Sequence, residues 1–259
     1  MKIYLAGSVG KVELKQMQKE GNRYLLQTYY DMRAWKDSKV QSYLNSCEEF
    51  LLDSGAFTFM NSGKKVNWKD YIDSYIEFVN KYDIKQFIEL DLDHVVGVKE
   101  TIKIRQYIEE RTGKQTIPVF HAIRGIDYYK QMCKDYGYIA IAASGIVKGI
   151  DEYVKNPKTL RQLLRIAHNN DCRVHGLAYT RLSNINNTTV PFDSVDSTTW
   201  LSGDRYGTWY TYKNGHLLQK DMANRGIDKQ TFNTNNLACW MQVQKNKSKD
   251  DKEWTKNGN

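Results

Sequence analysis

The sequence predicts an α/β fold of the (β/α)8, TIM-like barrel class, with a hairpin and helix added near the C-terminal end. Two observations predict it. Apolar strand-like runs alternate with amphipathic helical stretches at roughly 25–35-residue spacing, and seven or eight such strands fit into about 200 residues. Strand after strand then ends in a polar or acidic residue, as barrel strands do where they converge on one rim. An open doubly wound sheet is the second choice, but the chain has no GxGxxG turn.

With 259 residues, 41% hydrophobic and 12% aromatic, the chain can bury a substantial core. One domain is assigned to residues 1–244, and residues 245–259 read as a charged, flexible tail. No apolar run reaches membrane-spanning length. The start, Met1–Gly7, carries no signal-peptide pattern, so a cytoplasmic protein without a membrane partner is expected. Cys47, Cys133, Cys172 and Cys239 are too scattered for a CxxC-type zinc cluster and read as reduced thiols. No metal and no cofactor are expected. The net charge of +8 favours a polyanionic partner, with nucleic acid the commonest.

The elements follow in order. Ile3–Ala6 is the first strand and Tyr24–Tyr30 the second candidate. Glu49–Leu52 runs into Asp53-Ser54-Gly55-Ala56-Phe57. A helix starts at Asn67, its cap, with Trp68, Tyr71, Ile72, Tyr75, Ile76 and Val79 in one apolar stripe. In Phe87–Asp93 the alternation is strict: Ile88, Leu90 and Leu92 on one face, Glu89, Asp91 and Asp93 on the other. In a helix-covered barrel the aliphatics would face outward, leaving three acids inside, where carboxylates need partners.

A helix around Val98–Arg111 precedes the strand Ile117–His121, and another carries Ile126, Tyr129, Cys133 and Tyr136 on one face. Tyr138–Gly145 puts the small residues Ala140, Ala142 and Ser144 on one side, leaving room for a flat ligand. The helix Lys158–His168 buries Leu160, Leu163, Leu164 and Ala167. Arg173–Tyr179 and the stretch from Phe192 to Trp200 are the last parallel strands. Beyond them, Trp209–Tyr212 and His216–Gln219 flank Asn214-Gly215, a favoured hairpin turn. Asn235–Gln244 reads as a short helix with Leu237, Trp240 and Met241 on one face.

The polar strand ends are Asp53-Ser54, Asp91 and Asp93, His121, Ser144-Gly145, His175-Gly176, and Asp193 with Asp196. Each alone reads equally well as a turn, a cap or a buried hydrogen bond. On one rim they become a ring of carboxylates and histidines. Paired carboxylates suit glycosyl transfer or hydrolysis, whereas no HxH or HExxH spacing supports a metal enzyme.

These residues carry a resemblance. Leu52-Asp53-Ser54-Gly55-Ala56-Phe57 resembles the DSGG(F/Y) motif of the tRNA-guanine transglycosylases. Ser144-Gly145-Ile146-Val147-Lys148-Gly149 is similar to their GGLAVG loop, and Leu92-Asp93 to their FDEC strand end. His175-Gly176 falls where they have an MG turn, and Phe192 opens a stretch like their FDxx strand, which bears the nucleophilic aspartate. The matches keep the family's order. The chain also departs from it: the CxCxxC zinc site is absent, Ile150 replaces the glutamate of GGLAVGE, and Ser197-Thr198-Thr199 replaces PTR. This compact, zinc-free form is similar to relatives, many in phages and mobile elements, that place 7-deazaguanine bases into DNA.

The resemblance implies replacement of guanine in a polynucleotide, DNA favoured over tRNA, by a 7-deazaguanine base through a covalent aspartyl-glycosyl intermediate. A phage-encoded member would act in the host cytoplasm. By this resemblance Asp53 matches the general acid/base position, and Asp196, nearer its strand's exit, is favoured over Asp193 as nucleophile. Asp91 or Asp93 would accept from the guanine edge. Ser54, His121, Ser144, Gly145, His175 and Gly176 would line the base pocket, and Phe57 would stack on the base. A non-catalytic nucleic-acid-binding subunit is the rival reading. The oligomeric state stays open, a homo-oligomer included.

Overall fold

The structure, a computed structural model, describes residues 1–56, 58, 67–142 and 156–254, apart from the side chains of Asp204 and residues 248–254. Phe57, Ser144 and Gly145 therefore lie outside the described residues. Seven parallel strands form one sheet: β1 (Lys2–Ala6), β2 (Tyr24–Thr28), β3 (Glu49–Asp53), β4 (Val119–Phe120), β5 (Tyr138–Ala142), β6 (Arg173–Leu177) and β7 (Ser194–Ser197). Their spatial order is β3-β2-β1-β7-β6-β5-β4. The sheet is curled, because both edges reach the same short segment. Leu52 of β3 bridges to Phe87, and Ile88 bridges to Ile117 just before β4, both in parallel register. The architecture is thus TIM-barrel-like α/β, as the strand–helix alternation predicts.

Helices connect the strands. They are α1 (Lys11–Glu20), the short α2 (Tyr29–Met32), α3 (Asp37–Leu44), α4 (Trp68–Lys81), the short α5 (Asp93–Val96), α6 (Val98–Thr112), α7 (Ile126–Asp135), α8 (Pro157–His168), and the short α9 (Leu182–Asn187) and α10 (Ser202–Tyr206). The expected stripe of α4 is buried through Tyr71, Ile72, Tyr75, Ile76 and Val79, and the Asn67 side chain accepts from the Asp70 N–H as its cap. The hairpin forms as predicted, from β8 (Thr208–Lys213) and β9 (His216–Asp221), antiparallel. Asn214 and Gly215 take φ of 52° and 80°, the positive pair that such a two-residue turn requires.

The core divides across the sheet. Tyr4, Ala6, Tyr24, Leu26, Leu51, Ile88, Ile117, Val119, Ala140 and Ala142 pack together on the concave face. Their neighbours one residue away, such as Ile3, Leu5, Leu25, Leu52 and Ile141, pack outward with the helices. A strand's period of two then dictates the mouth. Two residues beyond the inner Leu26, Leu51 and Val119 stand Thr28, Asp53 and His121.

Two expectations need correction. The acids of Phe87–Asp93 do not share the concave face, because Ile88 occupies it and Leu90 and Leu92 pack outward. Regular strand pairing stops after Ile88, so the period of two does not carry through to Asp93. The C-terminal helix is also longer than the predicted Asn235–Gln244: α11 spans Lys229–Trp254, so the boundary at residue 244 falls inside it.

Candidate active site at the mouth of the curled sheet

Asp53 and Asp196 come from β3 and β7 and line one cavity of about 940 Å³, together with Ser8, Thr28, Arg205 and Tyr206. Asp53 is set by the turn that follows β3. Its Oδ1 accepts the Gly55 N–H at 3.2 Å, and Gly55 has φ +71°. A Cβ there would lie 2.5 Å from the Tyr30 Cβ, so this turn needs glycine for space as well as conformation. Burial raises the Asp53 carboxyl to about 6; the Gly55 N–H opposes the shift, while the charges of Asp196 and Asp91 add to it.

Asp196 is held from the neighbouring strand. Its Oδ1 accepts the Ala178 N–H at 2.6 Å and lies 3.3 Å from His175 Nε2. Ser197 then shapes the exit. Its Oγ accepts the Thr199 N–H at 2.9 Å, opening a 3-10 turn over Thr199–Leu201. That turn buries Trp200, whose Nε1–H donates to the Ala6 carbonyl at 2.9 Å. Trp200 thus ties the end of β7 to the end of β1.

Asp91 and His121 form a second pair. His121 Nε2 and Asp91 Oδ2 are 2.5 Å apart, with His121 almost fully buried. His121 is raised above its ordinary value: burial opposes protonation, and the bond to Asp91 outweighs it. His121 Nδ1 and Asp91 Oδ1 are buried without a hydrogen-bond partner, and neither residue lines the cavity of Asp53 and Asp196.

The other predicted site residues fall elsewhere. Asp93 is clamped by Arg124, whose Nε and Nη2 donate to its two oxygens at 2.6 and 2.8 Å. Arg124 also meets Glu89 at 3.0 Å, and Arg105 reaches Glu89 at 3.3 Å. Both guanidinium groups and both acids are buried, so Asp93 belongs to an ion-pair network and not to the cavity. Asp193 stands at the opposite end of β7. Its carboxylate accepts the Val174 N–H at 2.7 Å and meets His168 at 2.9 Å, while its carbonyl receives the Lys2 N–H at the start of β1. Ser54 is buried, its carbonyl accepting from the Tyr71 hydroxyl at 2.6 Å. Gly176 packs against the Phe192 ring, 3.1 Å from where its Cβ would lie. His175 is buried behind Asp196. The alternation of the sequence did not single out Ser8, Thr28, Arg205 or Tyr206; Thr28 alone had a signal, as the inner-face residue two beyond Leu26.

Among the described residues, no group of three His, Cys, Asp or Glu side chains is arranged to hold a metal ion, and no helix is long and apolar enough to cross a membrane. No protein-family model and no curated protein sequence matches the chain. Among solved structures, one described as a fructose-1,6-bisphosphate aldolase from Coccidioides immitis superposes with a TM-score of 0.57 at 7% identity, covering 94% of this chain and 86% of that one. An L-talarate dehydratase from Polaromonas gives 0.45 at 8% identity, over 84% of this chain and 58% of that one. The first likeness shows the fold alone, and the second carries no argument.

Proposed function

We propose that this protein is a base-exchange transglycosylase that replaces guanine in a polynucleotide, DNA in preference to tRNA, with a 7-deazaguanine base. The observation that carries the reading is the pair of carboxylates, Asp53 and Asp196, on one cavity, with the Asp53 carboxyl raised to about 6. Two carboxyl groups with unlike environments suit an acid and a nucleophile. The ordered likeness to the transglycosylase motifs around Asp53 and Asp196 supplies the substrate class. We also infer that residues 86–89 act as an eighth strand closing the sheet into a (β/α)8 barrel. Supporting this, the Leu52 N–H donates to the Gln86 carbonyl, the Ile88 N–H to Leu52, the Glu89 N–H to Ile117 and the Ile117 N–H to Phe87.

In this mechanism Asp196 Oδ2 attacks C1′ of the target nucleotide as the bond from C1′ to guanine N9 breaks. The base leaves with that electron pair and takes the proton held by Asp53. The incoming 7-deazaguanine returns a proton to Asp53 as its N9 attacks C1′, and the ester to Asp196 breaks. Asp91 and His121, with their buried, unpartnered Oδ1 and Nδ1, would meet the polar edge of the base only if it reaches past the cavity wall. Tyr206, 70% exposed, and Arg205 stand at the cavity wall, where an aromatic face and a cation suit a polynucleotide.

The test is incubation with labelled 7-deazaguanine base and, separately, duplex DNA and tRNA. Incorporation into DNA by the wild type, lost in Asp196→Ala, is the expected result. An abasic site formed without any incoming base would convert the reading to a glycosidase-type hydrolase. Absence of incorporation into either polymer, with both still bound, would favour the non-catalytic subunit.

A further inference from the structure

The register of β6 against β7 sets His175 opposite Ser194. Ser194 and Asp196 lie on the same face of β7, about 6.6 Å apart along the strand. An imidazole with a hydrogen bond at each nitrogen spans that gap. His175 Nδ1 is 2.6 Å from Ser194 Oγ, and Nε2 is 3.3 Å from Asp196 Oδ1. On the other side of Ser194, the Tyr138 hydroxyl lies 2.5 Å from the same Oγ. The rings of Tyr4 and Tyr138 stand edge-on to the imidazole, with centroids 5.8 and 6.5 Å away. Ala140, opposite His175 on β5, leaves the space the ring fills.

Resting on the assignment of Asp196 as nucleophile, we propose that His175 is a positioning residue, the last link of a hydrogen-bond chain from Tyr138 through Ser194 that aims the Asp196 carboxylate. The direction follows from proton inventory. An ionised Asp196 only accepts, so His175 Nε2 carries a proton toward it. A neutral imidazole then has a bare Nδ1, which takes the Ser194 hydroxyl proton, and Ser194 Oγ accepts from Tyr138 O–H. Each link donates toward the carboxylate.

Together with the Ala178 N–H, the chain places both hydrogen bonds on Oδ1. Oδ2 is left for the sugar. In the covalent intermediate Oδ1 becomes the ester carbonyl, and the same two donors stabilise the carboxylate that re-forms when the ester breaks. A fixed, buried scaffold of this kind keeps a nucleophile in a reactive orientation without contacting substrate.

The experiment is imidazole-selective nitrogen-15 NMR of the full chain, which has five histidines. The expected His175 signal, assigned by its loss in His175→Gln, shows a protonated Nε2 and a bare Nδ1 at neutral pH. A proton on Nδ1, or on both nitrogens, overturns the chain. In parallel, adduct formation is followed with DNA in Ser194→Ala and Tyr138→Phe. Each should slow the covalent step about tenfold, the rate equivalent of one hydrogen bond, with KM nearly unchanged. An unchanged covalent rate in both variants overturns the positioning role. If the expected tautomer is seen but the wild type forms no adduct with any polynucleotide, the hydrogen-bond chain is supported and the transglycosylase reading falls.

Discussion

Asp53 is the residue whose chemistry is most exposed to test. Its carboxyl is raised from the ordinary 3.8 to about 6, so the native state holds a proton that the unfolded chain has released. Stability contributed by this group is therefore present at low pH and is lost as pH rises from about 3.8 to about 6. Asp53→Asn removes that penalty and should melt higher than wild type at pH 8, by on the order of 1 kcal/mol once solvent access is allowed for. At pH 3 the two should melt alike. The same variant should abolish exchange, since an amide cannot give up the proton; retained exchange would leave Asp53 as a turn residue only. Asp196→Asn tests the electrostatic link, because removing its charge should lower the Asp53 carboxyl in a carbon-13 titration. The two candidate nucleophiles separate here as well. Asp196→Ala should erase a covalent adduct on a denaturing gel, while Asp193→Ala, altering the far end of β7, should keep it. The reverse outcome would mean that the strand was aligned three residues out.

At the scale of elements, the turn after β3 and the ion pairs outside the sheet decide stability. Gly55→Ala forces a Cβ into Tyr30 at positive φ and should cost roughly 1–3 kcal/mol in chemical denaturation. Arg124→Met leaves Glu89 and Asp93 buried without their shared cation and should cost about 3–5 kcal/mol. Adding Asp93→Asn, while Glu89 keeps its pair with Arg105, should recover part of it; failure to recover would mean that Arg124 acts through packing. These elements also show where the sequence was readable. Strands β1, β2, β3 and β6 were legible as short, largely apolar runs buried on both faces, and helices α4 and α8 because one apolar stripe matched the helical period. The face of the acids after Ile88 was not, because the chain leaves the sheet there and alternation no longer maps to sides. Helix α11 was cut short for a different reason: both of the missed ends are largely polar in sequence. Before Asn235 the buried Asn233 donates to Glu13 Oε1, and beyond Gln244 the run of lysines and acids reads as a tail. A buried amide and a charged turn look alike in a hydrophobic pattern. The partnership of Asp53 with Asp196 was legible only as strand ends expected to converge; His175 was expected to line the base pocket and Ser194 read only as a strand residue, since their meeting depends on inter-strand register.

The whole molecule adds the field in which a polynucleotide would arrive. A net charge of +8 gives long-range attraction, but attraction spread over a surface does not orient a strand. Two cations stand near the carboxylates: Arg205 and Lys229 line the same cavity as Asp53 and Asp196, with Glu13 and Asp31 and beside the exposed Tyr206. Cations on the rim would hold phosphates while a nucleotide turned out of its stack reaches the carboxylates, and Tyr206 would offer a face to a neighbouring base. Binding to DNA should then weaken steeply with salt, and Arg205→Ala should reduce the slope of log affinity against log salt by about 1, the loss of one phosphate contact. Tyr206→Ala should weaken binding by about 1–3 kcal/mol without changing that slope, because stacking releases no counterions. Fluorescence anisotropy with a labelled duplex across a salt series reads both effects. Two variants that leave affinity and slope unchanged would place the polynucleotide on another face and separate this cavity from nucleic acid.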